Sequence, residues 1–223
     1  MKIIALAAAK GGVGKTTLAA ALSVAAAADR PGARVGLVDL YPQGSLTRWW
    51  NARALPAPLL LRLAPEGLAR ARAMIREARL DLLVLDCRPG FSSILGRAVA
   101  AADLVPVPTG PGELDLAAVA STAGMAERAG APFRFVLNRA VFRSRLAGSA
   151  VAALRERGRL LAAPVHRRVA VAAAMAGGRT APETGPGGAA ARELAALWAA
   201  VREALAGRAM GRRLRTLYAG KLI

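Results

Sequence analysis

Only one cysteine, Cys87, occurs in 223 residues. That excludes a disulfide framework and any site built from paired thiolates. Aromatic residues make up 4% of the chain, too few for the stacking platforms with which single-strand binders hold bases. No apolar run approaches the ~18 residues that a membrane-spanning helix needs. The N-terminus lacks a secretory pattern, because Lys2 leads straight into a short apolar run and then glycines. The chain therefore reads as cytoplasmic. Acidic residues are scarce as well: 14 stand against 32 Lys and Arg, for a net charge of +18. Such an excess predicts contact with a polyanion, either nucleic acid or an anionic surface. Lysine is confined to Lys2, Lys10, Lys15 and Lys221. Coding bias accounts for arginine in place of lysine, but not for the two-fold excess over acids.

What is present is apolar and rich in alanine, with 55% hydrophobic residues. This is enough for a sizeable core with slim, closely packed helices, and the whole chain, residues 1–223, suits one domain. Short apolar runs alternate with helical stretches, which predicts an α/β fold with a doubly wound, mainly parallel sheet flanked by helices. Buried strands are expected at residues 3–8, 35–38, 82–85, 104–107 and 133–137, an edge strand at 59–63 and a last short strand at 160–163. Helices are expected at 17–28, at 46–54 with Ser45 as N-cap, and at 65–78, 114–129, 145–157 and 189–206. Glycine and proline between Gly177 and Gly188 read as a loop.

One motif carries chemistry. Lys10-Gly11-Gly12-Val13-Gly14-Lys15-Thr16-Thr17 lies between the first expected strand and the first expected helix. Its glycines let successive amides turn inward around a phosphate, and the helix N-terminus adds its positive dipole end. Lys15 would reach the β- and γ-phosphates of ATP, and the Thr16 hydroxyl would ligate Mg²⁺. The usual first glycine of this loop is replaced by Ala9, and a second lysine stands at Lys10.

This segment resembles the deviant Walker A motif of the ParA/MinD superfamily, and the likeness runs along nearly the whole chain. Residues 37–47 resemble its switch segment, 81–86 its Walker B strand and 105–109 the strand after it. Most similar are the small plasmid-partition and cargo-positioning ATPases. The resemblance implies P-loop ATPase activity, weak or stimulated by a partner, with ATP/ADP and Mg²⁺ as ligands. Lys10 would cross to the partner subunit and touch its phosphates, so that ATP holds a homodimer face to face. Lys10, Lys15, Asp39 and Asp86 would be the catalytic set, with Thr16, Asp39 and Asp86 around the metal. Residues Gly11, Gly12, Val13, Gly14, Lys15, Thr16 and Thr17 would hold the phosphates, and Asn138 and Arg139 the adenine, with Pro164 and its neighbours closing the same pocket. The nitrogenase iron protein, another relative, needs paired cysteines and is excluded.

Two departures matter. Where the family has an acid immediately before Pro-Gln, this chain has Tyr41. A phenol keeps its proton at neutral pH and cannot act as a base as an ionised carboxylate does. Hydrolysis is therefore expected to be slow, absent or rescued by another group, with ATP binding and dimerisation intact. The second departure is Arg88, a cation beside the metal site that either neutralises phosphate or points to solvent.

The resemblance also implies non-specific DNA binding in the ATP state, hence nucleoid association, and a small adaptor protein of the ParB or ParG kind that releases the dimer. His166, Arg167 and Arg168, with Arg143, Arg145, Arg155, Arg157 and Arg159, are the local candidates for phosphate contact. At residues 208–223, Met210, Leu214, Leu217 and Tyr218 fall on one helical face among basic residues. This pattern suits an anionic membrane, as in MinD-like relatives, the chain's own domain or DNA. The leading expectation is an ATP-dependent DNA-binding dimer that partitions plasmid or chromosomal DNA or positions a protein assembly. The alternatives are a MinD-like membrane switch and a nucleotide-locked scaffold.

Overall fold

The structure is a computed structural model describing residues 1–63, 65–157, 159–161 and 164–219; within these, the side chains of 65, 66, 69 and 208–219 are not described. The apolar face expected over residues 210–223 therefore lies outside the described side chains.

Strands β1 (Lys2–Leu6), β2 (Val35–Asp39), β3 (Leu59–Leu60), β4 (Leu82–Asp86), β5 (Val105–Thr109) and β6 (Phe133–Leu137) pair in parallel throughout. β4 lies between β1 and β2, and β3 forms the edge beside β2. Hydrogen bonds from Ala5 N to Leu104 O and from Ala7 N to Pro106 O bring β5 alongside β1. The order across the sheet is thus β3-β2-β4-β1-β5-β6. Parallel strands need crossovers, and helices supply them on both faces.

Alternation along the strands divides the core. Ile3, Ala5, Leu83, Leu85, Val105 and Phe133 face α3 (Ala71–Glu77), α4 (Ser93–Ala101), α5 (Glu113–Arg128) and α6 (Arg145–Glu156). Ile4, Leu6, Leu37, Val84 and Val136 face α1 (Lys15–Asp29), α2 (Ser45–Asn51) and α9 (Ala189–Ala219). The alanines of α1, among them Ala19 and Ala20 with no exposed surface, let α9 approach closely, as expected from the composition.

The strand expectations hold to within one or two residues for β1, β2, β4, β5 and β6, because these runs are buried on both faces. Several other readings are corrected. Gly44, in the left-handed region at φ 64°, is the N-cap of α2, and Ser45 is its first residue. Tyr41 O accepts from Gly44 N in a tight turn, which requires that conformation. The helix expected over 65–78 begins as a 3-10 turn, Pro65–Arg70, since Gly67 so near its start weakens α-helical winding. The edge strand shortens to Leu59–Leu60, and residue 160 forms one isolated bridge to Phe135. The 177–188 loop contains α8 (Ala181–Thr184), held by a capping box in which Thr180 and Glu183 satisfy each other's backbone amides. Helices α4 and α7 (Val169–Ala176) are additional.

α2 is fastened to the turn before α8. Arg53, with a side chain only 3% exposed, pairs with Glu183 through both guanidinium amines and also donates to Gly178 O. Trp49 Nε1 donates to Arg179 O at 3.0 Å. Gly178 has φ 66°, and a Cβ there would stand 2.5 Å from the backbone at Ala52 and Arg53. The expected cost of Gly178→Ala is about 2–4 kcal/mol from left-handed strain plus overpacking. Thermal unfolding should show it as a melting temperature lowered by about 4–15 °C.

Candidate nucleotide site

The carboxyl ends of β1, β4 and β2 lie side by side, with Leu6, Asp86 and Asp39 in register. The loop leaving β1 meets these ends and turns into α1, with Gly12 at φ 72° and Gly14 at φ 92°. Both values are natural only to glycine. Among the described residues, no internal acceptor is paired with the amides of residues 11–14, so they are free to meet a phosphate.

Lys15 is buried, and its Nζ donates to Ala8 O and Lys10 O at 3.2 and 3.0 Å. Burial lowers its pKa, opposed by the attraction of Asp86. Thr16 Oγ1 donates to Asp86 Oδ2 at 2.6 Å, while Asp86 Oδ1 is buried with no hydrogen-bond partner. Burial pushes the Asp86 carboxyl up to about 7, aided by the negative charge of Asp39 and opposed by the Thr16 hydrogen bond and Lys15. An orphaned, desolvated carboxylate oxygen beside a hydroxyl suits a hard divalent cation. Among the described residues no cluster of three or more His, Cys, Asp or Glu could hold a metal by itself. A cation here therefore needs oxygens from a phosphate ligand and water, the manner in which Mg²⁺ is usually bound.

Asp39 is committed locally. Its Oδ1 accepts from Tyr41 N, and its Oδ2 accepts from Thr47 N and Thr47 Oγ1 at 2.9 and 3.1 Å. The carboxylate thus ties both ends of the 39–47 loop together, a role the sequence did not reveal. Tyr41 sits half-buried in this loop.

Asn138 and Arg139 both touch the phosphate loop. Asn138 Nδ2 donates to Val13 O at 2.8 Å and stands where a Cβ on Gly14 would be, 2.3 Å away. Arg139, itself left-handed at φ 58°, donates to Gly12 O at 2.5 Å. Beyond them opens a cavity of about 680 Å³, lined by Thr17, Leu18, Asn138, Val171, Met175 and the 165–168 segment among others. Its apolar walls and size suit a nucleoside. The α7 side of this cavity escaped sequence reasoning, since a short apolar helix between loops carries no distinct period.

Lys10 is exposed at the mouth and forms an ion pair with Asp115, in the first turn of α5. Asp115 was also missed, although its place just beyond the end of β5 is where ligand-facing residues gather in such sheets. Of the proposed DNA contacts, Arg167 is exposed near the loop, whereas Arg168 pairs with Glu193 at 2.6 Å, and Glu193 also holds His166.

Residues 4–181 match the CobQ/CobB/MinD/ParA nucleotide binding domain. The chain belongs to this family. Its members are P-loop ATPases, and the doubly wound sheet seen here is their fold. A carboxysome distribution protein A from Gloeobacter kilaueensis is 42% identical over 163 residues, which cover 70% of this chain and 72% of that protein. The chromosome-partitioning ATPase Soj of Thermus thermophilus is 40% identical over 134 residues, covering 47% and 53%. Among solved structures, the cell-division ATPase MinD of Pyrococcus furiosus superposes with a TM-score of 0.74 at 20% identity, covering 91% of this chain and 98% of that one. Apo McdA of Cyanothece gives 0.72 at 18% identity, covering 92% and 99%. The family's nucleotide chemistry agrees with the loop geometry: the Pyrococcus horikoshii MinD structure is a complex with Mg-ADP, and a variant of Cyanothece McdA is a complex with ATP.

The raised Asp86 pKa fixes a sign. Between the ordinary value of 3.8 and about 7 the folded chain retains a proton that the unfolded chain loses, so stability falls as pH rises through that window. Removing the charge with Asp86→Asn should raise the melting temperature of the nucleotide-free chain well above pH 7, and not below pH 3.8. The same change should abolish the stabilisation that Mg²⁺ adds to bound ATP. Melting curves across pH, with and without Mg-ATP, measure both.

Proposed function

We propose that this chain is an ATP-driven, dimerising cargo-positioning ATPase that binds DNA non-specifically in its ATP state. The observation that carries the reading is the division of labour between its two loop lysines. Lys15 is buried against its own phosphate loop, while Lys10 stands exposed at the mouth, paired with Asp115. A lysine in that place is held within its own chain by the part-exposed Asp115 and is open to solvent, which suits a phosphate group presented by a second subunit.

In this reading the amides of residues 11–14, Lys15 and Thr17 hold the triphosphate. Asn138 and the cavity beyond it seat the base and ribose, with Arg139 at their edge. Thr16 and Asp86 would hold Mg²⁺, whose charge would offset that of the phosphates. Asp39 orders the 39–47 loop next to the reacting end and would orient metal-bound water. The +18 charge gives the dimer its hold on DNA phosphates, with Arg167 the better placed of the two adjacent arginines because Arg168 is engaged by Glu193. Similarity to a carboxysome distribution protein over 70% of the chain weighs toward a large protein assembly as cargo. Soj and ParA relatives keep DNA as the other candidate. A small adaptor protein would couple cargo to the dimer.

Co-sedimentation with DNA should require ATP and Mg²⁺ and should weaken steeply with salt. Lys10→Ala should retain nucleotide but lose the ATP-dependent DNA binding. Equal DNA binding with and without nucleotide, or binding to anionic vesicles in place of DNA, overturns the reading.

Tyr41 stands where the family's acid positions water, so turnover should be slow. Tyr41→Asp should raise the rate of phosphate release by at least about tenfold, since a positioned base contributes roughly 10²–10⁴, and Tyr41→Phe should leave it unchanged. A phosphate-release assay that finds wild type and Tyr41→Asp equal would remove this account of hydrolysis.

A further inference from the structure

The outer side of the phosphate loop forms a second, smaller cavity of about 290 Å³, lined by Lys10, Gly12, Gly110, Asp115, Arg139 and Arg167 among others. Three cations face it and one carboxylate. Arg139 is turned onto Gly12 O, and the carboxylate of Asp115 is directed to Lys10. Asp115 is closely seated: a Cβ on Gly110 would stand 2.3 Å from its Oδ2, and one on Gly112 would stand 3.2 Å away. The turn between β5 and α5 is thus glycine where the carboxylate lies. The pair is only partly buried, with 42% of the lysine and 21% of the aspartate side chain exposed. Ion pairs so placed are weak and exchange readily.

We propose that Asp115 is a positioning residue for Lys10, a resting counter-ion which the lysine must exchange for the triphosphate of a second subunit. This rests on the reading of Lys10 given above. One ammonium cannot hold its own chain's carboxylate and also turn all its donors to a partner's phosphate, so the two contacts compete. A triphosphate carries more negative charge than a carboxylate or a diphosphate, and its terminal phosphate reaches further, which lets ATP win where a ligand with fewer phosphates does not. The exchange is made twice in a symmetric dimer, so a small term per subunit is squared in the dimerisation constant. Asp115 thereby sets how much ATP-dependent dimer forms at a given concentration of chain.

An acid in the first turn of a helix also favours that helix through its dipole, so the test needs a readout that helix stability does not move. Sedimentation of the full chain with Mg-ATP supplies it. Asp115→Asn keeps the side chain's shape and should tighten dimerisation by about two- to thirty-fold, two weak surface ion pairs having been removed. Asp115→Glu should return it toward wild type. In the double variant Lys10→Ala/Asp115→Asn the gain should vanish, because the counter-ion then has nothing to hold. Dimerisation that weakens or stays within two-fold in Asp115→Asn overturns the proposal, as does a gain that persists without Lys10. If wild type and Lys10→Ala respond to Mg-ATP identically, the role of Lys10 itself falls and this proposal with it. If only the Asp115 variants are silent, the dimer mechanism stands and Asp115 is merely a helix-capping charge.

Discussion

A buried carboxylate with one unpaired oxygen is the constraint on which this site depends. Asp86 ends the central strand β4, and burial there makes its ionisation costly until a cation arrives. Thr16 spends its hydroxyl on the other oxygen, so the first turn of α1 and the end of β4 are joined before any ligand binds. Lys15, whose charge acts on Asp86, is held by the carbonyls of Ala8 and Lys10. The nucleotide-free chain is therefore electrostatically incomplete at this point, and a metal-nucleotide complex would supply both the missing cation and the missing anion.

A second chain of contacts runs from the loop after β2 to the wall of the larger apolar cavity. Asp39 fastens Thr47 at the start of α2. Arg53, just beyond α2, pairs with Glu183 in α8 and reaches Gly178 O. The turn carrying Gly178 follows directly on α7, which contributes Val171 and Met175 to the cavity. The loop that carries Tyr41 and the α7 wall of this cavity are thus parts of one packed body. Breaking a buried ion pair of this kind costs several kcal/mol, typically 3–5, which keeps the two ends in step.

Charge shows how far composition alone can mislead about particular residues. The net excess of arginine is plain, yet its members are spent differently. Arg53 is structural, Arg168 answers Glu193, and Arg159 lies 4.2 Å over the Phe133 ring. Arg139 closes on the phosphate loop, whereas Arg167 remains exposed beside it.

Much of the architecture was legible before any coordinates. The five long strands were read because each is buried on both faces and so forms an unbroken apolar run, and the phosphate loop was read because glycines between such a strand and an alanine helix have few other uses. Asp39 and Asp86 followed as acids at strand ends. Helices α4 and α8 had local signals that went unused, Ser92 as an N-cap and the Thr180–Glu183 capping box; α7 had none. Sequence by itself determined the five long strands, most of the longer helices and the phosphate loop, since these are governed by interactions among near neighbours. Only the tertiary structure decided the contacts across the chain: Asp115 against Lys10, Glu193 against Arg168, Asn138 against Val13 and Arg53 against Glu183. Each joins residues from 25 to 130 positions apart, and which charge meets which is set by the order in which parallel crossovers stack the strands.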